Sequence, residues 1–129
     1  TVGMQPPKGQ GALDDSIRSS LLEEVLAHMQ QQQSYLDNDL TLTSLAEAVG
    51  VSTHHLSEVL NQKEGKNFYQ FVNRYRIDFV CDRMGEDSSV KIIDLAMTAG
   101  FSSKSTFNAV FKQFIGLTPS QYRSKLVAD

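Results

Sequence analysis

The sequence repeats one pattern of apolar residues and glycines after about fifty residues. The matching positions are Leu42 with Ile92, Leu45 with Leu95, Ala46 with Ala96, Gly50 with Gly100, Leu56 with Phe107, Val59 with Val110, Leu60 with Phe111 and Gly65 with Gly116. The offset is 50 residues up to the first glycine and 51 after it, so the second copy has either a longer turn or a helix that begins one residue differently. A chain of 129 residues holds one core, or two small ones that share an element.

Within each copy the apolar residues recur at spacings of three and four, which predicts amphipathic helices. The glycines are suited to helix ends, and Ser52 is suited to cap the second helix of the first copy. A longer helix is expected to open at Asn67, with Gln70 as a reciprocal cap, and to stop at Gly85.

The flanks of the repeat are also predicted to be helical. An apolar stripe indicates a helix from Ser16 to Gln33, and the T-x-x-Q box Thr118–Gln121, with proline at the first helical position, starts a last helix. The sequence therefore predicts an all-α fold of about seven helices. We expect residues 1–13 to be a flexible linker, residues 14–38 a lead-in or connector helix, and residues 39–127 the domain that holds the repeat. The glycines and prolines of the linker indicate a further domain attached to it.

Two short helices joined by a glycine-containing turn, the second with a polar outer face, form a helix-turn-helix unit. Its second helix can enter a major groove about 12 Å wide. The connecting helix of 18 residues, Asn67–Met84, spans about 27 Å, near the roughly 34 Å between successive groove faces. One chain with two such units is expected to read two adjacent major grooves.

The charge is unevenly distributed along the chain. Residues 41–126 carry ten lysines and arginines against eight acids, a net charge of +2, whereas residues 1–40 carry two against six, a net of −4. The repeat is therefore only weakly basic, and any phosphate binding must come from the local placement of lysines and helix ends.

Other functional classes find little support in the sequence. There is no apolar run of membrane-spanning length and no signal peptide, so we predict no membrane contact by these residues. The single cysteine, Cys81, fits a reducing compartment, and the cytoplasm is predicted. No catalytic constellation is present, so an enzyme is not expected. His54 and Glu58 lie four residues apart, but a third ligand is missing nearby, so we predict neither a metal nor a cofactor.

Three segments resemble the DNA-binding domain of AraC-type transcriptional regulators: LAEAVGVSTHHLSEVL, GKNFYQFVNRYRID and DLAMTAGFSSKSTFNAVFKQFIGLTPSQYR. The match covers about residues 40–126, and its second half is the more specific. The resemblance implies a seven-helix domain with two DNA-binding units that binds double-stranded promoter DNA. It also implies an attached N-terminal sensor or dimerisation domain and an action on RNA polymerase.

Site residues follow from removing the core positions and matching the rest to the family. The positions that match base contacts are His54, Ser57, Glu58, Lys104, Ser105, Asn108 and Ala109. The residues placed near helix ends, where phosphate contacts set register, are Lys63, Lys66, Asn67, Lys112, Thr118 and Gln121.

Glu58 and Ala109 depart from the family pattern, which often has arginine at these positions. A carboxylate repels phosphate unless it accepts from a cytosine amino group, so the first unit either binds weakly or reads a cytosine. Ala109 offers only a methyl group, so the second unit is expected to rely on Lys104 and Asn108.

Three alternatives remain open at this point. The exposed helix faces could dock a partner protein, which makes a helical protein-interaction module without specific DNA binding the rival function. Cys81 is interpreted as a buried small residue rather than a redox switch. Arg74 and Arg76 on the connecting helix are expected to be either packing residues or phosphate ligands.

Overall fold

The structure is a computed structural model that describes the backbone of residues 14–128 and the side chains of residues 14–127. Its seven α-helices are α1 (Asp15–Gln32), α2 (Leu42–Val49), α3 (Thr53–Val59), α4 (Phe68–Glu86), α5 (Ile92–Thr98), α6 (Lys104–Ile115) and α7 (Pro119–Ala128). No strand occurs in these residues, which confirms the predicted all-α fold. The predicted linker, residues 1–13, lies outside the described residues.

The chain divides into two compact units. The N-terminal unit holds the residues up to Ser34 and Leu40–Phe71, and the C-terminal unit holds Tyr35–Asp39 and the residues from Val72 onward. Each unit contains one helix-turn-helix hairpin, α2–α3 in the first and α5–α6 in the second. Helix α4 contributes its first turn to the N-terminal unit and the remainder to the C-terminal unit.

Helix α1 is part of the core of the N-terminal unit. It packs against α2, α3 and the π-helical turn Leu60–Glu64 that extends α3. The buried apolar residues of the unit are Leu21, Val25 and Met29 from α1, Leu45 and Ala46 from α2, Leu56, Val59 and Leu60 from α3 and its extension, and Phe71 from the first turn of α4. The lead-in helix thus supplies a wall of this core.

Side-chain caps define the hairpin of the N-terminal unit. Thr41 and Ser44 form a reciprocal capping box at the start of α2, and Gly50 ends that helix with a φ of 78°. Ser52 accepts a hydrogen bond from the backbone N–H of His55 at 3.1 Å, which confirms its predicted capping role. The helix end before Gly65 differs from the regular helix that the sequence predicted, because its last residues form the π-helical turn.

The C-terminal unit is built around aromatic rings. Phe107 of α6 lies 5.2 Å from Phe101 and 5.7 Å from Phe111, centroid to centroid. Phe111 in turn contacts Tyr122 of α7 edge-on at 5.6 Å. The edge-to-face contact of Phe111 with Tyr122 joins α6 to α7, and the opposite face of α6 lies in solvent.

The extra residue of the second copy lies in the turn. Helix α3 begins three residues after Gly50, whereas α6 begins four residues after Gly100. Both helices reach their first buried residue three positions after their start, at Leu56 and Phe107. The second copy therefore has a turn that is one residue longer, which was one of the two explanations of the offset; the other was a helix that begins one residue differently.

Helix α4 begins as predicted and buries more than predicted. The Asn67 and Gln70 side chains each accept from the other's backbone N–H, at 2.8 and 3.0 Å. Ile77, Met84 and the polar Asn73 are also buried, although the apolar spacing of the sequence predicts a different inward-facing set: Phe68, Phe71, Val72, Tyr75, Phe79 and Val80. Cys81 is only half-buried, so burial around it is less complete than the sequence indicated.

Arg76 holds the loop Tyr35–Asp39 within the C-terminal unit. Its Nε and Nη2 atoms donate to the carbonyl oxygens of Tyr35 and Asp37, at 2.6 and 2.9 Å. The Tyr35 ring also stacks on Tyr75 with centroids 5.3 Å apart. Arg76 therefore has a packing role, the first of the two roles considered for it.

Candidate nucleic-acid interface

Helix α3 is the second helix of the helix-turn-helix hairpin in the N-terminal unit. Leu56 and Val59 face the core, which leaves His54 exposed and Ser57 half-buried. The His54 ring lies 5.8 Å from that of His55. Among the described residues no group of three histidine, cysteine or acidic side chains is arranged to hold a metal ion.

The carboxylate of Glu58, on the same helix, contacts helix α1. Its Oε2 atom lies 2.9 Å from Nε of Arg18, and the two side chains are only 14% and 19% exposed. A charge-assisted hydrogen bond of this length is strong when it is partly shielded from water. The predicted base-contacting position thus has an ionic partner inside its own unit.

Lys63 is also engaged by helix α1. Its Nζ atom lies 2.5 Å from Oδ1 of Asp15, in the first turn of that helix. Lys66, three residues further on, donates to the carbonyl oxygen of Glu64 at 3.3 Å. Two of the predicted phosphate-binding lysines therefore have acceptors within the protein.

Three other predicted phosphate contacts serve as helix caps. Asn67 caps α4, and Thr118 and Gln121 form the reciprocal box at the start of α7, with hydrogen bonds of 2.9 and 3.1 Å. Their side chains order the two helix starts. A helix start attracts phosphate through the N–H donors of its first turn and through the helix dipole.

Helix α6 is the second helix of the helix-turn-helix hairpin in the C-terminal unit, and its outer face is exposed to solvent. Phe107, Val110 and Phe111 are buried. The exposed residues on the opposite face include all of the predicted contacts on this helix, namely Lys104, Ser105, Asn108, Ala109 and Lys112. The four salt bridges found in the described part of the chain involve neither of its lysines.

A groove of about 680 Å³ runs beside α6 in the C-terminal unit. Its positive side chains are Lys91, Lys104 and Arg123, and no acidic residue lines it. Its remaining lining residues are Ile92, Ile93, Phe107, Asn108, Thr118, Pro119 and Ser120. The groove therefore brings Lys104 and Asn108 together with the start of α7 in one positively charged surface.

Three polar residues that line this groove were not among the predicted site residues: Lys91, Ser120 and Arg123. Lys91 occupies the N-cap position of α5, and Ser120 and Arg123 lie in the first turns of α7. Arg123 also donates to the carbonyl oxygen of Val90. The signal that could have found them was the position of two cations beside helix starts, which is where phosphate ligands concentrate.

Two helix-turn-helix hairpins, each with a polar recognition-helix face, define the chain as a double helix-turn-helix DNA-binding domain. A family profile described as "Helix-turn-helix domain" matches residues 45–125. The chain belongs to this family, and specifically to its AraC-type transcriptional regulators.

Relatives and solved structures agree with this assignment. The chain is 39% identical over 90 residues to an uncharacterized HTH-type transcriptional regulator of Staphylococcus aureus (strain COL), covering 69% of the chain but 12% of that protein. An AraC-type transcriptional regulator from Chromobacterium violaceum has the same fold, with a TM-score of 0.72, 20% identity, and coverage of 87% of this chain and 96% of that one. The DNA-binding domain of AdpA in complex with a target DNA matches with a TM-score of 0.69, 21% identity and coverage of 84% and 93%.

Proposed function

We propose that this chain binds double-stranded promoter DNA sequence-specifically, with α3 and α6 in adjacent major grooves. The observation that carries the proposal is the outer face of α6 and the acid-free groove beside it. Positive charge placed along one recognition helix is what a phosphate backbone requires. The AdpA domain, which has the same fold, was solved with its target DNA.

The C-terminal unit supplies most of the base reading in this proposal. Lys104 donates to guanine, Asn108 pairs with adenine, and Ser105 and the methyl group of Ala109 complete the contact. Lys112 and the α7 start, with Thr118 and Gln121, bind phosphate. Lys91 and Arg123 extend that phosphate contact along the groove.

In this proposal the N-terminal unit positions the protein on the DNA more than it reads the base sequence. His54 and Ser57 are its proposed base contacts, with Lys63, Lys66 and Asn67 as its phosphate contacts. Glu58 belongs to the predicted base-contacting set, but its carboxylate is engaged by Arg18. Binding by this unit is therefore expected to be weaker than binding by the C-terminal unit.

The remaining parts of the function concern the whole protein. We propose that the chain is the DNA-binding part of a larger cytoplasmic regulator that has an N-terminal sensor or dimerisation domain and acts on RNA polymerase. The chain spans only 12% of the S. aureus relative. None of the helices in the described region combines the length and the apolar character needed to cross a membrane. No enzymatic activity is proposed, because this family acts by binding DNA.

Selection from random DNA duplexes tests the proposal. The chain should enrich one sequence and protect about two helical turns on one face of the duplex. Its affinity should fall steeply as salt rises, because phosphate contacts release counterions. Enrichment of no sequence, or an affinity that ignores salt, would favour the protein-interaction module instead.

Alanine substitutions separate the two units. Lys104→Ala and Asn108→Ala should each weaken specific binding by roughly tenfold, as expected for loss of a base contact worth about 1–3 kcal/mol. His54→Ala, the matched change on the first recognition helix, should weaken it less. The opposite order would show that the N-terminal unit dominates recognition.

A further inference from the structure

The first turn of helix α1 places two charged side chains on the DNA-binding helix of the N-terminal unit. Arg18 pairs with Glu58 of α3, and Asp15 pairs with Lys63 of the π-helical turn that extends α3. The paired residues are separated by 40 and 48 positions in the sequence. Both contacts exist only because α1 packs along this hairpin.

The two pairs differ in how firmly they are held. Arg18 and Glu58 are largely shielded from solvent, and removal of either partner would leave a poorly solvated charge. In the second pair the Lys63 side chain is 23% exposed but that of Asp15 is 79% exposed, and an ion pair with one well-solvated partner contributes less stability than a shielded one. Glu58 is therefore held in place, whereas Lys63 can leave Asp15 for a competing anion.

The two pairs have opposite consequences for a phosphate backbone. Glu58 would repel phosphates, and Arg18 neutralises that charge. Lys63 would attract phosphates, and Asp15 neutralises the positive charge of Lys63. Helix α6 of the C-terminal unit carries its lysines without such a pair among the described residues.

We propose that the first turn of α1 sets how strongly the N-terminal unit binds DNA, and we call its two charged residues, Asp15 and Arg18, the charge clamp. Arg18 is a positioning residue that holds Glu58 away from the DNA interface. Asp15 competes with phosphate for Lys63. This inference rests on the proposed DNA binding. In it, Glu58 is held by the charge clamp and does not read a base.

The Asp15 arm is tested by duplex binding over a series of salt concentrations with the full chain. Asp15→Asn should raise affinity on the order of fivefold and steepen the dependence of log K on log salt by at most about 0.9, the full contribution of the Lys63 phosphate contact that Asp15 weakens in the wild type. The control is Glu23→Gln, which removes the same charge from an exposed position of the same helix. Adding Lys63→Gln to Asp15→Asn should abolish the gain.

The Arg18 arm is tested with a pair of variants. Arg18→Gln should weaken binding on the order of fivefold, because the Glu58 carboxylate loses the cation that neutralises it. Arg18→Gln/Glu58→Gln should restore the affinity, since it removes both charges. Circular dichroism melts identify any variant that loses its fold, and the double variant retains a neutral hydrogen-bonding pair at the site.

The base preference gives the decisive outcome. With Glu58 held by Arg18, Glu58→Gln should select the same DNA sequence as the wild type. A changed preference at one cytosine would show that Glu58 reads that base and would overturn the clamp. Equal behaviour of Asp15→Asn and Glu23→Gln would overturn it while leaving the proposed function intact, whereas a wild-type chain that binds no specific duplex would overturn both.

Discussion

Gly100 is, among the glycines that the structure describes, the one where an added methyl group should cost the most stability. Its φ is +105°, and a Cβ atom there would lie 2.5 Å from the carbonyl oxygen of Tyr35 and 2.8 Å from Nε of Arg76. Those two atoms are themselves joined by a hydrogen bond of 2.6 Å. Gly100→Ala therefore strains the backbone and separates Arg76 from the loop that it anchors.

The expected loss has two parts. The left-handed backbone conformation costs an L-residue about 1–2 kcal/mol, and loss of a hydrogen bond from a charged donor costs about 1.5–3 kcal/mol. Gly100→Ala should thus lower the free energy of unfolding by roughly 2.5–5 kcal/mol. Gly116 is the matched control in the same unit, with a φ of +86° and no atom within 4 Å of the place that a Cβ atom would take.

Urea unfolding followed by far-ultraviolet circular dichroism measures both variants. Gly116→Ala should lose only the backbone part of the free energy of unfolding, about 1–2 kcal/mol, with an unchanged dependence on urea. If the two variants lost the same stability, the close approach of Gly100 to the Tyr35 loop would not be what makes glycine necessary there.

Two further predictions concern titrating groups. The backbone N–H of Ile17, which donates to Asp14 at the start of α1, lowers the pKa of that carboxyl. The stability that the ionised Asp14 contributes is therefore present above the unfolded pKa and should be lost as pH falls through the folded pKa. Melting temperatures measured across the acidic pH range should show this loss of stability in the wild type. The loss should be smaller in Asp14→Asn, which keeps a capping oxygen without the charge. Identical pH profiles of the two proteins would contradict a stabilising role of the Asp14 charge. Burial raises the pKa of the Cys81 thiol, so alkylation near pH 8 should be several-fold slower in the folded chain than in urea, and equal rates would show an accessible thiolate.

Most helix boundaries could be predicted because their signals are local. The caps at Ser52, Asn67 and Thr118 each involve residues within three positions, so the sequence pattern and the hydrogen bonds coincide. The extra residue of the second copy was visible in the sequence as a change of offset, but the sequence did not show whether it lies in the turn or in the helix. Only the start of α6 showed that it lies in the turn.

The additional burial on helix α4 was not predictable in the same way. Its apolar residues indicate one face, but Ile77 and Met84 are also fully enclosed. The first turn of this helix belongs to one unit and the rest to the other. Its burial pattern therefore does not follow a single stripe.

The sequence by itself determined the helices, the two copies of the hairpin and the family, because apolar periodicity, caps and spacing act over a few residues. The tertiary structure decided which charges are available. Glu58 and Lys63 lie on predicted DNA-binding positions, but Arg18 and Asp15 engage them from 40 or more residues away. Ion pairs depend on the distance between side chains in space, and only the packing of α1 brings these residues within reach.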